Sequence, residues 1–269
     1  MVVESPDSNI SPNRYGRNQA PMVFLLWKSD YVWVRTLEER CVDMASKYQK
    51  NRTPNGYLMN YRKDREGLLG ILRKAAFQFK IELVGMEPII WRRLEVPADS
   101  NFWDLHVAIQ DCMGWRDYHL HHFEIKAKGK SKVVKIGIPD FDGLSEEDIY
   151  PGWEIPIDSY FNGLGVEAEY LYDYGDSWMH RVRLEGYMAL DKGEKYPRCV
   201  DGARACPPEV CGGEPGYARL VEILANPRHK EFKEISVWVG KDWHPERFEK
   251  GALEFHDPFK RWSKAFLEK

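Results

Sequence analysis

The sequence predicts an α+β fold, a mainly antiparallel sheet with flanking helices and an N-terminal helical attachment. Three observations predict it. Period-two alternation of apolar residues dominates the middle of the chain, helical spacing dominates its ends, and a short break at Gly85 and Pro88 joins the first two strands as a hairpin.

Phe77, Phe79, Ile81 and Leu83 share one face of a first strand. Gly85 and Pro88 break it, and residues 89–96 form a second strand, so the two read as a hairpin. Ser100 starts an amphipathic helix with Leu105, Ile109, Cys112 and Met113 on its buried side, and Gly114 ends it as a left-handed cap. Further strands are expected at 119–126, 132–138, 167–173 and 178–187. Residues 193–216, dense in Pro, Gly and Cys, read as a loop. Helices follow at 216–225 and 229–239, and Phe255, Phe259, Trp262 and Phe266 mark a last amphipathic segment.

The front of the chain differs. Residues 1–20 are rich in Ser, Pro, Asn and Arg and read as a disordered tail. Residues 21–75 carry two helical patterns, one after an N-cap at Thr36 and one at Leu68, Leu69, Ile71, Leu72 and Ala75, and form the helical attachment. The main domain is expected over 76–269.

The 269 residues are 43% hydrophobic and 13% aromatic, ample for a packed core, and 30% charged. The longest apolar run, residues 22–27, is far short of the roughly 20 residues of a membrane helix. The start of the chain carries Glu4, Pro6 and Asp7, where a signal peptide has a basic start and an apolar stretch, so a cytoplasmic location without a membrane partner is the expectation. The net charge of −3 is uneven, +6 over residues 1–80 and −9 over the rest. A basic leader of that kind favours nucleic acid as a partner, and the acidity of the body opposes it. Five cysteines are an odd number in a chain large enough to fold without staples, which argues against a disulfide framework. No GxxxxGK[ST], GxGxxG or GxSxG pattern occurs.

Three long blocks carry a family likeness: PIIWRRLEVPADSNFWDLHVAIQDCMGWRDYHLHHFEI at 88–125, YLYDYGDSWMHRVRLE at 170–185 and YPRCVDGARACPPEVCGGEPGYARLVEILANP at 196–227. From residue 77 to about 250 the chain resembles the plasmid pRiA ORF-3-like family, named for an open reading frame of a root-inducing plasmid. The resemblance implies a passenger protein of plasmids and mobile elements with no established activity. Some members are labelled TnpR, a resolvase. The serines before residue 100 are Ser5, Ser8, Ser11, Ser29 and Ser46, mostly in the tail, and no basic recognition helix closes the chain, so resolvase chemistry has little support. The chain departs from the family pattern at Val210, where members commonly carry Asp after CPPE.

Four groups of residues are candidate sites. In YDYGDSWMH, Gly175-Asp176 reads as a two-residue turn that pairs Asp173 with Trp178 and Leu171 with His180. Asp173 and His180 then share a sheet face, where they bind a metal or where the carboxylate orients the imidazole. The alternative is that Asp173 and Asp176 only build the turn. His119 and His121, two apart on one strand, present two nitrogens to the same side, with His122 turned to the surface. His119, His121, Asp173 and His180 are the candidate ligand set for a divalent metal such as zinc, against the alternative of satisfied, partly buried histidines. Cys199, Cys206 and Cys211 form a second candidate zinc site, with inert thiols and a Cys206–Cys211 disulfide as alternatives. Arg92 and Arg93 point to opposite faces of their strand, one toward an anion and the other toward a carboxylate such as Asp173 or Asp176.

Three functions are consistent with these features. One is a non-catalytic, metal-stabilised interaction module. Another is a metal-dependent hydrolase of phosphodiesters using the four-residue set, with Arg92 balancing substrate charge. A third is a nucleic-acid-binding accessory protein.

Overall fold

The computed structural model describes residues 72–126, 132–139, 148–240 and 242–268. The tail and almost all of the helical attachment lie outside them. Eight strands form one sheet: β1 (Ala75–Leu83), β2 (Ile90–Pro97), β3 (His121–Lys126), β4 (Val133–Gly137), β5 (Ile149–Pro151), β6 (Glu167–Tyr172), β7 (Trp178–Ala189) and β8 (Arg198–Ala203). Their spatial order is β5-β4-β3-β6-β7-β1-β2-β8. Every neighbouring pair is antiparallel except β4 and β5. Among the described residues four α-helices accompany it: α1 (Phe102–Met113), α2 (Gly213–Ala225), α3 (Phe232–Val239) and α4 (Pro258–Phe266). The α+β class read from the sequence is the class found.

Alternation decides which face is buried. Phe77, Phe79, Ile81 and Leu83 of β1 are buried, as are Ile90, Leu94 and Val96 of β2 and Ala168, Tyr170 and Tyr172 of β6. Trp178, Val182 and Leu184 of β7 continue the same layer. The intervening residues carry charge, with Arg181 at 3.4 Å from Glu82 and Arg93 at 2.9 Å from Glu185. One face therefore packs and the other is solvated, as antiparallel sheets allow. Helix α1 packs on the apolar face. It starts one residue later than Ser100 suggests, because Asn101 and Asp104 cap each other's backbone as a capping box. It ends where expected, at Gly114 with φ 78°.

Two strands escaped the sequence reading. β5 has three residues and β8 runs through the segment expected to be a loop. In addition, β1 begins at Ala75, one residue before the expected domain start, and Leu72 is already buried in the core.

Arg92 ties these parts together. It is buried on β2, and its guanidinium donates to the carbonyl of Cys112 at the end of α1 (3.0 Å) and to those of Trp91 (2.8 Å) and Ala203 of β8 (2.9 Å). A further N–H points to the Cys206 sulfur at 3.2 Å, and the Phe248 ring lies 4.1 Å away. This corrects the expectation that an arginine here pairs with Asp173 or Asp176. Arg93 takes carboxylates, but those of Glu185 and Asp201, both at 2.9 Å. Replacing Arg92 by Met should leave three carbonyls without donors and lower stability by about 3 kcal/mol or more in urea unfolding. A loss under about 1 kcal/mol would show that Arg92 does not pin α1 and β8 to the sheet.

Candidate functional site

The site lies where the buried layer turns polar, at the end of the sheet near the start of β3. His106 and Gln110 are one turn apart on the buried side of α1 and face Tyr170 on β6. Gln110 donates to the Tyr170 hydroxyl (2.8 Å), which in turn donates to His106 Nδ1 (2.8 Å). His106 Nε2 then donates to Asp117 Oδ1 at 2.9 Å. The chain of donors runs one way, which assigns the proton of His106 to Nε2.

Asp117 has φ 63°, a left-handed conformation that Asp tolerates better than most residues, and this turns its carboxylate back onto His106. Burial alone would raise its pKa, but the hydrogen-bonded His106 and the charge of Arg261 outweigh burial and lower it. Arg261, on α4, comes within 3.7 Å of Asp117 and 2.6 Å of Asp111. Asp111 also accepts from the backbone and ring of His256 (2.7 and 2.9 Å), and Trp103 Nε1 donates to the Pro258 carbonyl (2.9 Å). The C-terminal segment is thereby fastened over α1 beside the His106–Asp117 pair.

His121, first residue of β3, stacks on His106 with ring centroids 3.4 Å apart and planes 6° from parallel. It is 1% exposed, and neither ring nitrogen has a hydrogen-bond partner. Burial, and then the nearness of His106 and His122, hold its pKa well below the usual histidine value, so the ring stays neutral. His106, Asp117 and His121 offer ligand atoms that all lie within 4.8 Å of one another.

The four-residue set expected from the sequence does not gather in this way. β6 and β7 pair Tyr172 with Trp178 and Tyr170 with His180, so the connection is a five-residue loop, 173–177, and not the two-residue Gly175-Asp176 turn. Asp173 starts that loop at φ 59°, and its Oδ1 accepts from the backbone of Gly175 (2.9 Å) and Asp176 (3.3 Å). Its side chain builds the loop, the alternative weighed for it above, with Oδ2 at 3.4 Å from His119 Nε2. No well-formed hydrogen bond joins that pair. His119 precedes β3 instead of lying within it, so it does not share a strand face with His121. His122, expected at the surface, is buried and bonded to Tyr174 (2.9 Å) and Glu124 (3.2 Å).

His180 lies in the same buried layer as His121, but the Tyr170 ring stands between them, 5.9 Å from His121 and 5.2 Å from His180. Its Nδ1 faces the carbonyls of Trp178 (3.0 Å) and Tyr170 (3.3 Å) and so carries the proton, leaving Nε2 without a partner.

The cysteines also separate. Cys206 meets Arg92 and the Met113 sulfur (3.0 Å), Cys199 faces the Asp201 carbonyl (3.3 Å), and Cys211 faces that of Gly213 (3.9 Å). All are free thiols. Burial raises each pKa, that of Cys211 to about 12.

Beside this interior, three loops form a rim. Glu209 accepts from the backbone of Arg116 (2.7 Å) and from the Tyr172 hydroxyl. Asp176 accepts from Gly212 (3.1 Å), and Asp173 N donates to Leu120 O (3.0 Å). The loops 114–120, 173–177 and 207–213 are therefore bonded to one another.

An eight-stranded, mostly antiparallel sheet with a helix sealing a polar, histidine-rich layer defines this chain as an α+β protein with a buried cluster of titratable groups. Residues 75–252 match the family described as plasmid pRiA4b ORF-3-like protein, and the chain belongs to that family. It is 32% identical over 165 residues to an uncharacterized protein, y4hQ, of Sinorhizobium fredii, spanning 61% of this chain and 80% of that one. It is also similar to the crystal structure of a protein of unknown function, MM3350, from Methanosarcina mazei Go1. The TM-score is 0.61 at 35% identity, over 68% of this chain and 99% of the other. Among the described residues no helix is long and apolar enough to cross a membrane.

His180 yields a pH prediction. Burial depresses its pKa to about 4, although hydrogen bonds to Tyr170 and Trp178 oppose the shift. The unfolded chain binds this proton near pH 6.5 and the folded chain does not. Stability from this group should be complete above about pH 6.5 and fall by up to roughly 3 kcal/mol as pH drops toward 4. Unfolding free energies measured across that range should fall less steeply in His180→Gln. Equal slopes in the two proteins would show that His180 is not held neutral.

Proposed function

We propose that the protein is a non-catalytic interaction module whose binding face is the rim of loops 114–120, 173–177 and 207–213. The observation that carries this reading is a set of large apolar side chains exposed on bonded loops. Tyr118 is 68% exposed, Leu120 52% and Val210 59%. Apolar side chains presented together on a fixed frame mark a protein contact more often than they mark chance exposure. Val210 adds to the case. It is β-branched and sits at φ 59°, a conformation that costs roughly 1–2 kcal/mol for such a residue. It also stands where the family pattern has Asp. Strain of that kind persists where a surface is used.

The carboxylates of Asp176 and Glu209 lie on these loops, with Arg116 as the basic residue among them. A partner protein presenting apolar side chains flanked by lysine or arginine fits that mixture. The phosphodiester-hydrolase reading draws no support from the geometry, since His180 is screened from His121 by Tyr170 and Asp173 is spent on its loop. The basic leader that favoured nucleic acid lies almost wholly outside the described residues.

Site-specific photocrosslinking of the full chain in its native cells tests the proposal. A crosslinker at position 120 should trap one discrete protein, and a crosslinker at the exposed Val237 on α3 should not. Tyr118→Ser combined with a change of Val210 to Ser should reduce that adduct about tenfold or more with unchanged melting. Identical adducts from both positions, or an adduct indifferent to the two changes, would remove the rim as the binding face.

A further inference from the structure

We infer that His106, Asp117 and His121 hold a divalent first-row transition ion inside the protein. The set differs from the one expected from sequence, keeping only His121. His106 lay on the buried side of α1, and Asp117 in the turn after it.

A fully buried imidazole with two unpartnered nitrogens, that of His121, is costly, because a buried polar atom that loses water and finds nothing forfeits about 1–3 kcal/mol. Natural interiors rarely tolerate such groups without an ion or ordered water to meet them. Because the ring is neutral, it can offer a lone pair but brings no charge of its own. The ring of His106 is held in place, its Nδ1 2.8 Å from the Tyr170 hydroxyl, which accepts from Gln110. Such an outer partner orients a ligand ring, and with an ion on Nε2 it would receive the Nδ1 proton. Asp117 supplies the anion, its Oδ1 2.9 Å from His106 Nε2.

Two imidazoles and one carboxylate form a donor set that suits zinc or ferrous iron better than calcium or magnesium, which prefer oxygen throughout. The ion would take the place of the proton on His106 Nε2; that proton would pass to Nδ1, which would then donate to the Tyr170 hydroxyl, so that the ring stays neutral. The stacked rings define one movement. With planes only 6° from parallel, an ion in the plane of one ring lies out of the plane of the other, so one ring must turn for both to bind. His121 is the ring whose turning would break no hydrogen bond. Arg261, 3.7 Å from Asp117, brings positive charge close to the site, and its salt bridge to Asp111 gives it an alternative anion. The ion would join α1, the turn after it and β3, a structural role independent of any partner at the rim.

The test uses the full chain purified without a polyhistidine tag. Elemental analysis should find about one zinc or iron ion per chain, and removing it with a chelator should lower the melting temperature, with recovery on adding zinc. Cobalt(II) added to the chelated protein should give visible absorption from nitrogen and oxygen ligands. Asp117→Asn, which preserves shape, and His121→Phe should both abolish the ion and the chelator response. If His121→Phe fails to fold, Asp117→Asn and the cobalt spectrum of the wild-type chain decide. Metal below about a tenth of an equivalent, with melting indifferent to chelator and zinc, would overturn the inference and leave an ordered water as the partner of His121. So would undiminished metal in Asp117→Asn. None of these readouts depends on a binding partner, so the rim proposal and this one can fail separately.

Discussion

The rotation of α1 on the sheet depends on a buried hydroxyl. Tyr170 is fully buried in β6, and its oxygen exchanges hydrogen bonds with the middle of the helix through Gln110 and His106, while Arg92 of β2 holds the helix end at the Cys112 carbonyl. The apolar contacts around it, such as Phe123 at 4.6 Å between ring centroids, are not directional and would allow α1 to slide or rotate. The hydroxyl is directional. It accepts from one residue and donates to another four positions earlier on the same helix, so only one rotation and one height of α1 satisfy both. The same ring separates His121 from His180, which divides the polar layer into the His106–Asp117–His121 cluster and a lone histidine.

Much of the fold was legible because its signals are local. Alternation placed β1, β2 and β7 to within about two residues, the usual margin for element ends. Gly114 ended α1 because a glycine with positive φ was the only change needed there. β8 was not legible. Its sequence, RCVDGA, is small and polar, and it is an edge strand whose pairing with β2 is set by position in the sheet. Nothing in its own residues favours a strand over a loop.

The site was legible in its members more than in its grouping. His121 was singled out, but its partners were assigned through a turn register that is one residue wrong. Gly175-Asp176 resembles a two-residue hairpin turn, yet Asp173 captures the amides of Gly175 and Asp176 and widens the loop to five residues. A shift of one residue reverses the face of everything beyond it. A usable signal did exist at His106. It shares the buried face of α1 with Leu105 and Ile109, and a histidine on such a face needs a polar partner from another element. Which element that is depends on tertiary packing, so Asp117 and Tyr170 became visible only in the structure.

The hydroxyl of Tyr170 can be removed without changing the shape of its ring. In Tyr170→Phe, native-state hydrogen exchange should show the amides of α1 losing protection while those of β1 and β7 keep theirs relative to global unfolding. Global stability should fall by about 2–4 kcal/mol, because His106 and Gln110 are left with unmet groups in the interior. A loss below about 0.5 kcal/mol with unchanged exchange in α1 would contradict the account, showing that apolar packing alone sets where the helix sits.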